Sequence, residues 1–427
     1  MLKHRETTLA SGVRIVTEAI PSVRSVSLGF WIGTGSRAES DAQAGLSHLL
    51  EHLLFKGTAT HSSLEIDQLF DAMGAEINAG TGRETTSLYA RVIDEHLPAA
   101  FDAMADMVFA PALADIDAER EVILEEIAMY EDDPQEKVID VLGEAVFGKH
   151  PLGRPIIGYA PVVRDTPAAG IRAFHDERYV PSNIVIAAAG AVDHDALVEL
   201  AQARLPDRSA AQFKVEPADV AGIKAGQDHI RFEYKDTEQY HLCAGGLGLS
   251  RHDPRRFALR VLDTVFGGSS SSRLFQEVRE QRGLAYAVFS FAASYADTGQ
   301  TGLYLGTRGD NLGAAVQVIG AELTRLRSEG VTAEELTRAK ENLKGRMLLS
   351  LESTSARMNR LGSCVLSGEP LLSLDELVAA VDAVSQEDVH ELAVELWDPA
   401  ALSIAGIGPD RARFDAAVEG LKVGVSA

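Results

Sequence analysis

The two halves of this chain repeat one order of predicted elements, and this repetition restricts the folds open to it. In the first half, apolar residues alternate from Val26 to Ile32 and predict a strand with one buried face. A helix, a hairpin region and an acidic helix follow, and residues 183–190 predict a strand that leads into a helix through Asp193. The second half echoes this order with strands near 230–234 and 240–244, a helix over 254–266, strands near 286–291 and 302–306, and a strand over 401–408 that enters a helix.

This repetition predicts two related α+β domains rather than one large domain. A chain of 427 residues divides naturally into two domains of about 200 residues each. We place the first at residues 1–207 and the second at 229–427. The linker between them, residues 208–228, is short of periodicity and contains Pro217 and two glycines.

Composition narrows the class of protein. The hydrophobic fraction of 46% is ordinary for a globular protein, and no run approaches the 18 or so apolar residues of a membrane span. The N-terminus lacks the apolar core of a secretory signal, and two cysteines, Cys243 and Cys364, cannot form a disulfide framework, so we expect a cytoplasmic protein. The formal charge of −23 argues against nucleic acid as a partner, because phosphate binding needs clustered lysine and arginine.

One motif indicates chemistry. Residues 48–52 read H-L-L-E-H, the reverse of the zinc-protease signature H-E-x-x-H. On a helix, His48 and His52 lie about one turn apart on one face and can bind one zinc ion, while Glu51 reaches a metal-bound water as a general base. The flanking leucines predict a largely buried helix, where such polar side chains are costly unless they are paired or bound to metal.

A second helix offers a further ligand. Residues 117–131 are rich in acids, and Glu119 and Glu126 are seven positions apart, two turns along one face. Glu121 and Glu125 point away from that face. The spacing suits one metal ligand and one supporting carboxylate without deciding which is which. The alternative is an ordinary solvated acidic face.

The sequence resembles the pitrilysin (inverzincin) family of zinc peptidases, and most closely its short-chain branch, which includes the catalytic subunit of the mitochondrial processing peptidase and bacterial relatives. The matching text is H-L-L-E-H-L-L-F-K-G-T at 48–58 and E-R-E-V-I-L-E-E-I-A-M-Y-E-D-D-P at 119–134. The resemblance implies that His48, His52 and Glu126 are the zinc ligands and Glu51 the base. It also implies that Glu119 supports the site without binding metal. Such nitrogen and oxygen ligands suit Zn²⁺ best but would admit cobalt or manganese.

Residues 74–89 resemble the family's strand beside the zinc, to which the bound peptide adds as a further strand. Asn78 and Ala79 match positions that contact substrate. Gly80 departs from the pattern, since many relatives carry an aromatic residue there. Without the resemblance, this segment would be interpreted as a glycine-rich loop leading into a strand over 86–92.

Residues 266–286 resemble the family's second functional segment, in which Arg279 and Tyr286 occupy the arginine and tyrosine positions. The resemblance implies that these two donors stabilise bound substrate and the oxyanion formed during peptide hydrolysis. On composition alone, Arg279 would be a surface charge on a helix and Tyr286 a strand residue.

The resemblance further implies two mainly antiparallel sheets, each backed by helices, that form half of a clamshell around an internal chamber. Short members assemble two chains, so we expect a homodimer, or a heterodimer with a related chain. The expected function is zinc-dependent endoproteolysis of peptides or unfolded polypeptide segments. Two alternatives stay open, a non-catalytic scaffold or peptide-binding subunit, and a zinc hydrolase acting on other acyl bonds.

Overall fold

The computed structural model describes residues 4–205, 220, 223 and 230–423, so the predicted linker at 208–228 lies almost wholly outside the described residues. No helix in these described ranges is long and apolar enough to cross a bilayer. The strands of the described part are β1 His4–Thr8, β2 Arg14–Ala19, β3 Ser25–Ile32, β4 Glu76–Thr81, β5 Thr86–Ile93, β6 Ile184–Gly190, β7 Ile230–Tyr234, β8 Gln239–Gly248, β9 Ala287–Ser294, β10 Gly299–Arg308 and β11 Ser403–Gly408. The α-helices of the same part are α1 Leu46–Leu53, α2 Ser63–Ala72, α3 Leu97–Phe109, α4 Ile116–Asp132, α5 Pro134–Phe147, α6 Ala160–Asp165, α7 Ala168–Arg178, α8 His194–Arg204, α9 Arg256–Phe266, α10 Gly309–Glu329, α11 Ala333–Ser350, α12 Thr354–Ser367, α13 Leu374–Asp382, α14 Gln386–Leu396 and α15 Arg411–Val423.

The strands form two sheets with the same topology. The first has the order β1-β2-β6-β3-β5-β4, and the second has the order β7-β11-β8-β10-β9. In each, one pair is parallel, β2 with β6 and β7 with β11, and the remaining pairs are antiparallel. If β1 is set aside, the two orders superpose strand for strand. The prediction of two related, mainly antiparallel α+β domains is confirmed.

Helices pack against both faces of the first sheet, as strand β3 shows. The alternating residues Val26, Leu28, Phe30 and Ile32 are fully buried in a core shared with α1 and α3, as the sequence pattern predicts. The opposite face of β3 meets α12. There Gly29 allows a close approach, because a Cβ atom at this position would lie 2.5 Å from Sδ of Met358 and would displace that side chain.

Two helices are exchanged between the halves of the chain. Helix α5, from the first half, packs its valines and leucine against β8, β10 and β11 in the second unit, in a cluster of Val138, Val141, Leu142, Cys243, Tyr304 and Ile407. Helix α12, from the second half, covers the first sheet in a cluster of Val16, Val185, Ala187, Met358, Leu361 and Val365. An amphipathic helix buries its apolar face against a neighbouring element, but the sequence of the helix does not indicate which sheet that is.

The exchange gives each compact unit three segments of chain. The first unit is drawn from Met1–Ala128, Pro155–Pro217 and Leu348–Ser373, and the second from Met129–Arg154, Ala218–Met347 and Leu374–Ala427. The division of the sequence at residues 208–228 stays a prediction. The structure also shows that residues 129–154 of the first half belong to the second unit, and that residues 348–373 of the second half belong to the first unit.

Candidate metal centre

Helix α1 is held so that its polar face stays available. Its leucines, including Leu49, Leu50 and Leu53, are fully buried in the first core, which leaves the two histidines and Glu51 on the other side. The carboxylate of Glu39 is itself buried and accepts N–H bonds from Gly45 at 2.9 Å and Ser47 at 2.6 Å. These bonds satisfy N–H groups that the first turn of a helix cannot pair internally, and they fix the start of α1.

The two histidines of α1 meet one glutamate of α4. Nε2 of His48 and Nε2 of His52 each lie 3.6 Å from Oε2 of Glu126. One ligand atom from each of the three residues falls within 4.8 Å of the others, the arrangement of a metal-binding group. Zinc binds nitrogen and oxygen at about 2.0–2.2 Å, which sets ligand atoms of a tetrahedral site roughly 3.3–3.6 Å apart. The 3.6 Å separations are too long for good hydrogen bonds but match that spacing, so the three residues fit a zinc ion.

The electrostatics of His48 favour coordination over ion pairing. Burial, followed by repulsion from His52, lowers the pKa of His48 to about 4. Its imidazole is therefore neutral near pH 7, the form that binds metal. Nδ1 of His48 is buried and finds no hydrogen-bond partner among the residues that the structure describes.

His52, in contrast, is oriented by a carboxylate. Its Nδ1 donates to Oε2 of Glu119 at 3.2 Å, and the other carboxylate oxygen of Glu119 binds Nζ of Lys56 at 2.8 Å. Glu119 is buried, with a side chain only 8% exposed, so the lysine partner offsets the cost of burying its charge. The bond to Nδ1 fixes the tautomer of His52 that presents Nε2 toward Glu126.

We expect Glu119→Gln to weaken zinc binding by about 10–100-fold, because the amide loses the charge that holds His52 and Lys56 together. A competition titration against a chelating dye measures the zinc Kd. Glu121→Gln, an exposed glutamate on the same helix, is the matched control and should keep the wild-type Kd. Equal zinc affinities in the wild type and Glu119→Gln would contradict this orienting role.

Glu51 lies on the same turn of α1 and is held by a hydroxyl. Oγ1 of Thr81, the last residue of β4, donates to Oε2 of Glu51 at 2.5 Å. Burial raises the pKa of Glu51, and the hydrogen bonds from Thr81 act in the opposite direction. A carboxylate in such surroundings accepts a proton more readily than a solvated one, which suits a general base.

The segment that carries Asn78 and Ala79 is a strand, not a loop. β4 lies at the edge of the first sheet, where β5 is its one partner among the described strands, with Ala79 opposite Leu88 and Thr81 opposite Thr86. Asn78 is exposed, and its Oδ1 accepts the N–H of Ala79 at 2.8 Å. A Cβ atom at Gly80 would meet nothing within 4 Å, so this position opens onto free space.

Arg279 and Tyr286 lie together in the second unit. The guanidinium carbon of Arg279 lies 4.6 Å from the ring centre of Tyr286 and 4.7 Å from that of Phe275, so both rings contact the cation. Phe275 and Arg279 belong to a π-helical turn, Phe275–Glu280, a local geometry that often occurs at functional sites. Tyr286 immediately precedes β9 and is 79% exposed, so its ring and hydroxyl face solvent.

The structure therefore gathers His48, His52, Glu126, Glu119 and Glu51 at one place in the first unit, and pairs Arg279 with Tyr286 in the second. Sequence reasoning missed three supporting residues at the first place: Glu39, Lys56 and Thr81. Lys56 and Thr81 fall inside segments that resemble the family, but no spacing rule connects them to Glu119 or Glu51. Glu39 carries no local signal, because its partners are backbone groups.

Family models match both halves of the chain. Residues 14–160 match a model described as insulinase, peptidase family M16. Residues 168–343 match a model described as the peptidase M16 inactive domain. The first match contains the three candidate zinc ligands, and the second contains Arg279 and Tyr286.

Curated relatives carry names of the same kind. A protein of Streptomyces coelicolor named an uncharacterized zinc protease is 42% identical over 413 residues, which are 95% of this chain and 89% of that protein. A Bacillus subtilis protein with the same description is 40% identical, across 91% of this chain and 95% of its own length.

Solved structures share the fold. A peptidase M16 inactive domain from Pseudomonas fluorescens aligns with a TM-score of 0.87 at 23% identity, over 96% of this chain and 99% of that one. A protease from Helicobacter pylori aligns with a TM-score of 0.88 at 21% identity, over 96% of this chain and all of that one, 100%. At these identities the likeness establishes the fold alone.

Proposed function

The chain belongs to the insulinase (M16) family of peptidases, and we propose that it is a zinc-dependent endopeptidase acting on peptides or unfolded polypeptide segments. One observation carries the proposal: His48, His52 and Glu126 present ligand atoms within 4.8 Å of one another, with Glu51 on the same helical turn as the histidines. A binding group for zinc and a half-buried base so close together are the two parts that metal-assisted hydrolysis needs.

In the proposed mechanism, His48, His52 and Glu126 would hold the metal, and Glu119 keeps His52 in the tautomer that presents Nε2. Zinc bound there would supply Lewis-acid chemistry, which makes the scissile carbonyl more electrophilic and water more acidic. Glu51 accepts the proton of the attacking water and returns it to the amine of the leaving peptide. Its partly buried position favours the first transfer, because burial raises the pKa of the Glu51 carboxyl and makes the carboxylate a stronger base.

The free edge of β4 supports a peptide as the substrate. An edge strand offers unpaired backbone groups to which an extended chain can bind as a further strand. Asn78 and Ala79 are the proposed contacts on β4, and the open space at Gly80 admits a large substrate side chain. Binding through the backbone requires an extended segment, so folded proteins would be poor substrates.

A digestion screen distinguishes this function from another zinc-dependent hydrolysis. The wild-type protein is incubated with a mixture of unstructured peptides of random sequence and, separately, with small esters. Mass spectrometry should find cleavage at internal peptide bonds. Ester turnover without any peptide cleavage would replace the endopeptidase with a different acyl hydrolase.

Arg279 and Tyr286 are the proposed donors that stabilise substrate and the developing oxyanion. Their support is the exposure of Tyr286 and its contact with the Arg279 guanidinium, which together present hydrogen-bond donors to solvent. We place them in the site of a partner copy, so that a homodimer, or a heterodimer with a related chain, completes each site from two chains.

Mixing two inactive variants tests this arrangement. Glu51→Gln and Tyr286→Phe proteins are each inactive or strongly impaired, but a mixed dimer contains one site with both Glu51 and Tyr286 intact. Random exchange should restore about one quarter of the wild-type activity, because half of the dimers are mixed and each has one good site. If native mass spectrometry shows mixed dimers and activity does not return, the sites are not shared between chains.

A second candidate function is a non-catalytic scaffold or peptide-binding subunit. It is favoured by the match of residues 168–343 to a model described as an inactive domain. A scaffold needs no zinc and turns over no peptide, so measurements of bound metal and of peptide cleavage distinguish it from the enzyme.

The proposed location is the cytoplasm, supported by the two free cysteines, Cys243 and Cys364.

A further inference from the structure

Thr81 makes a short polar contact to the proposed base. Its Oγ1 lies 2.5 Å from Oε2 of Glu51 and 3.5 Å from the carbonyl oxygen of Ser47. A hydroxyl has one hydrogen to donate, and the much shorter distance assigns it to the carboxylate. A hydrogen bond from a hydroxyl to an ionised carboxylate is charge-assisted, and such bonds are stronger than those between neutral groups.

The position of that hydroxyl is fixed by the strand. Thr81 lies opposite Thr86 in the β4–β5 pair, and the buried hydroxyl of Thr86 donates to the carbonyl oxygen of Thr34 at 3.0 Å. The turn beyond β4 is closed by a bond from the Gly82 N–H to the Thr85 carbonyl at 2.7 Å. A β-branched side chain on a backbone held in this way has few rotamers open to it.

The carboxylate of a glutamate turns easily about its last bond, so its two oxygens have no fixed directions of their own. Holding Oε2 on the Thr81 hydroxyl also sets the direction of the other oxygen. We propose that Thr81 is a positioning residue for Glu51, which fixes the carboxylate in the orientation needed to accept the proton of the attacking water. This inference rests on the proposed function of Glu51 as the base.

The same strand would then serve two purposes. β4 offers its free edge to the peptide and supplies, at its end, the hydroxyl that orients the base. The base and the scissile bond would be aligned from one rigid element, which reduces the misplacement that lowers the rate of a chemical step.

Two substitutions separate the hydroxyl from the rest of the side chain. Thr81→Val keeps the shape and the strand preference but removes the donor, whereas Thr81→Ser keeps the donor. Cleavage of an internally quenched peptide library gives kcat and KM, and metal analysis gives zinc per chain. Thr81→Val should lose about 10–100-fold in kcat through misorientation, with KM within about twofold and zinc unchanged. Thr81→Ser should stay within about threefold of the wild-type kcat.

Thr17→Val is the matched control. Thr17 is a buried threonine on β2 of the same sheet, and its hydroxyl bonds Nδ1 of His194 at 2.9 Å. Loss of this hydroxyl should leave kcat at the wild-type value. A general effect of removing a buried threonine hydroxyl would lower kcat in both variants.

The outcomes distinguish this inference from the function on which it rests. A wild-type kcat in Thr81→Val, or equal losses of kcat in Thr81→Val and Thr81→Ser, would overturn the positioning role of Thr81. The proposed peptidase function would still stand if Glu51→Gln is inactive. Full activity in Glu51→Gln would overturn both. If Thr81 acts only through the base, adding Thr81→Val to Glu51→Gln should cause no further loss, and an additional loss would also contradict the inference.

Discussion

Glu51→Gln is expected to retain zinc and to lose peptide cleavage by about 10²–10⁴-fold in kcat, the usual contribution of a general base. The amide has the shape of the carboxylate and can still accept the hydrogen bond from Thr81, but it cannot take a proton from water. The three proposed metal ligands are unchanged, so the zinc content should stay at the wild-type level.

The stability of this variant should also be preserved. Burial raises the pKa of Glu51, which means that the folded protein disfavours the ionised side chain relative to the unfolded chain. Replacing it with a neutral amide removes that penalty in the metal-free protein, so the Tm after chelation should equal or exceed that of the wild type treated in the same way. If both the Tm and the activity of Glu51→Gln fall, Glu51 has a structural role. If Glu51→Gln keeps the wild-type kcat, Glu51 is not the base.

Glu126→Gln is expected to lose zinc and cleavage together. The substitution removes the only anionic member of the triad, whose Oε2 lies 3.6 Å from both histidines, and an amide oxygen is a much weaker ligand. We expect the zinc affinity to fall by more than about 100-fold. This loss exceeds the one expected for Glu119→Gln, because Glu119 hydrogen-bonds a proposed ligand and is not one itself.

Glu125→Gln provides a control on the same helix. Glu125 is the neighbour of Glu126 but is exposed and lies outside the triad. Atomic absorption on proteins purified in parallel should find zinc in Glu125→Gln at the wild-type level and little in Glu126→Gln. Full zinc occupancy in Glu126→Gln would exclude this glutamate as a ligand, and zinc loss in both variants would indicate a general charge effect.

The sequence predicts those parts of the candidate site that depend on spacing within one helix. His48, Glu51 and His52 share a turn, so any helix through them brings their side chains to one face. The spacing of Glu119 and Glu126 places them together on α4 but does not assign their roles. In the structure, Oε2 of Glu126 approaches both Nε2 atoms, while Glu119 binds Nδ1 of His52.

Contacts between distant segments could not be predicted in the same way. The donation from Thr81 to Glu51 depends on where the end of β4 lies relative to α1, and the cap from Glu39 depends on a loop folding back onto backbone groups. The exchange of α5 and α12 has the same cause, since the valines of an amphipathic helix fit more than one sheet. Side-chain alternation, in contrast, is a local property, and it correctly gave the buried face of β3.

Bound metal and peptide cleavage, measured in one preparation, show whether this chain is a zinc-dependent peptidase. Zinc per chain and the rate of peptide cleavage are determined for the wild-type protein as purified, after chelation, and after zinc is added back. We expect about one zinc per chain, loss of cleavage when the metal is removed, and recovery when it is restored. A metal-free protein that cleaves peptides at the full rate, or a native protein that neither binds zinc nor cleaves, would contradict the proposal of a zinc-dependent peptidase.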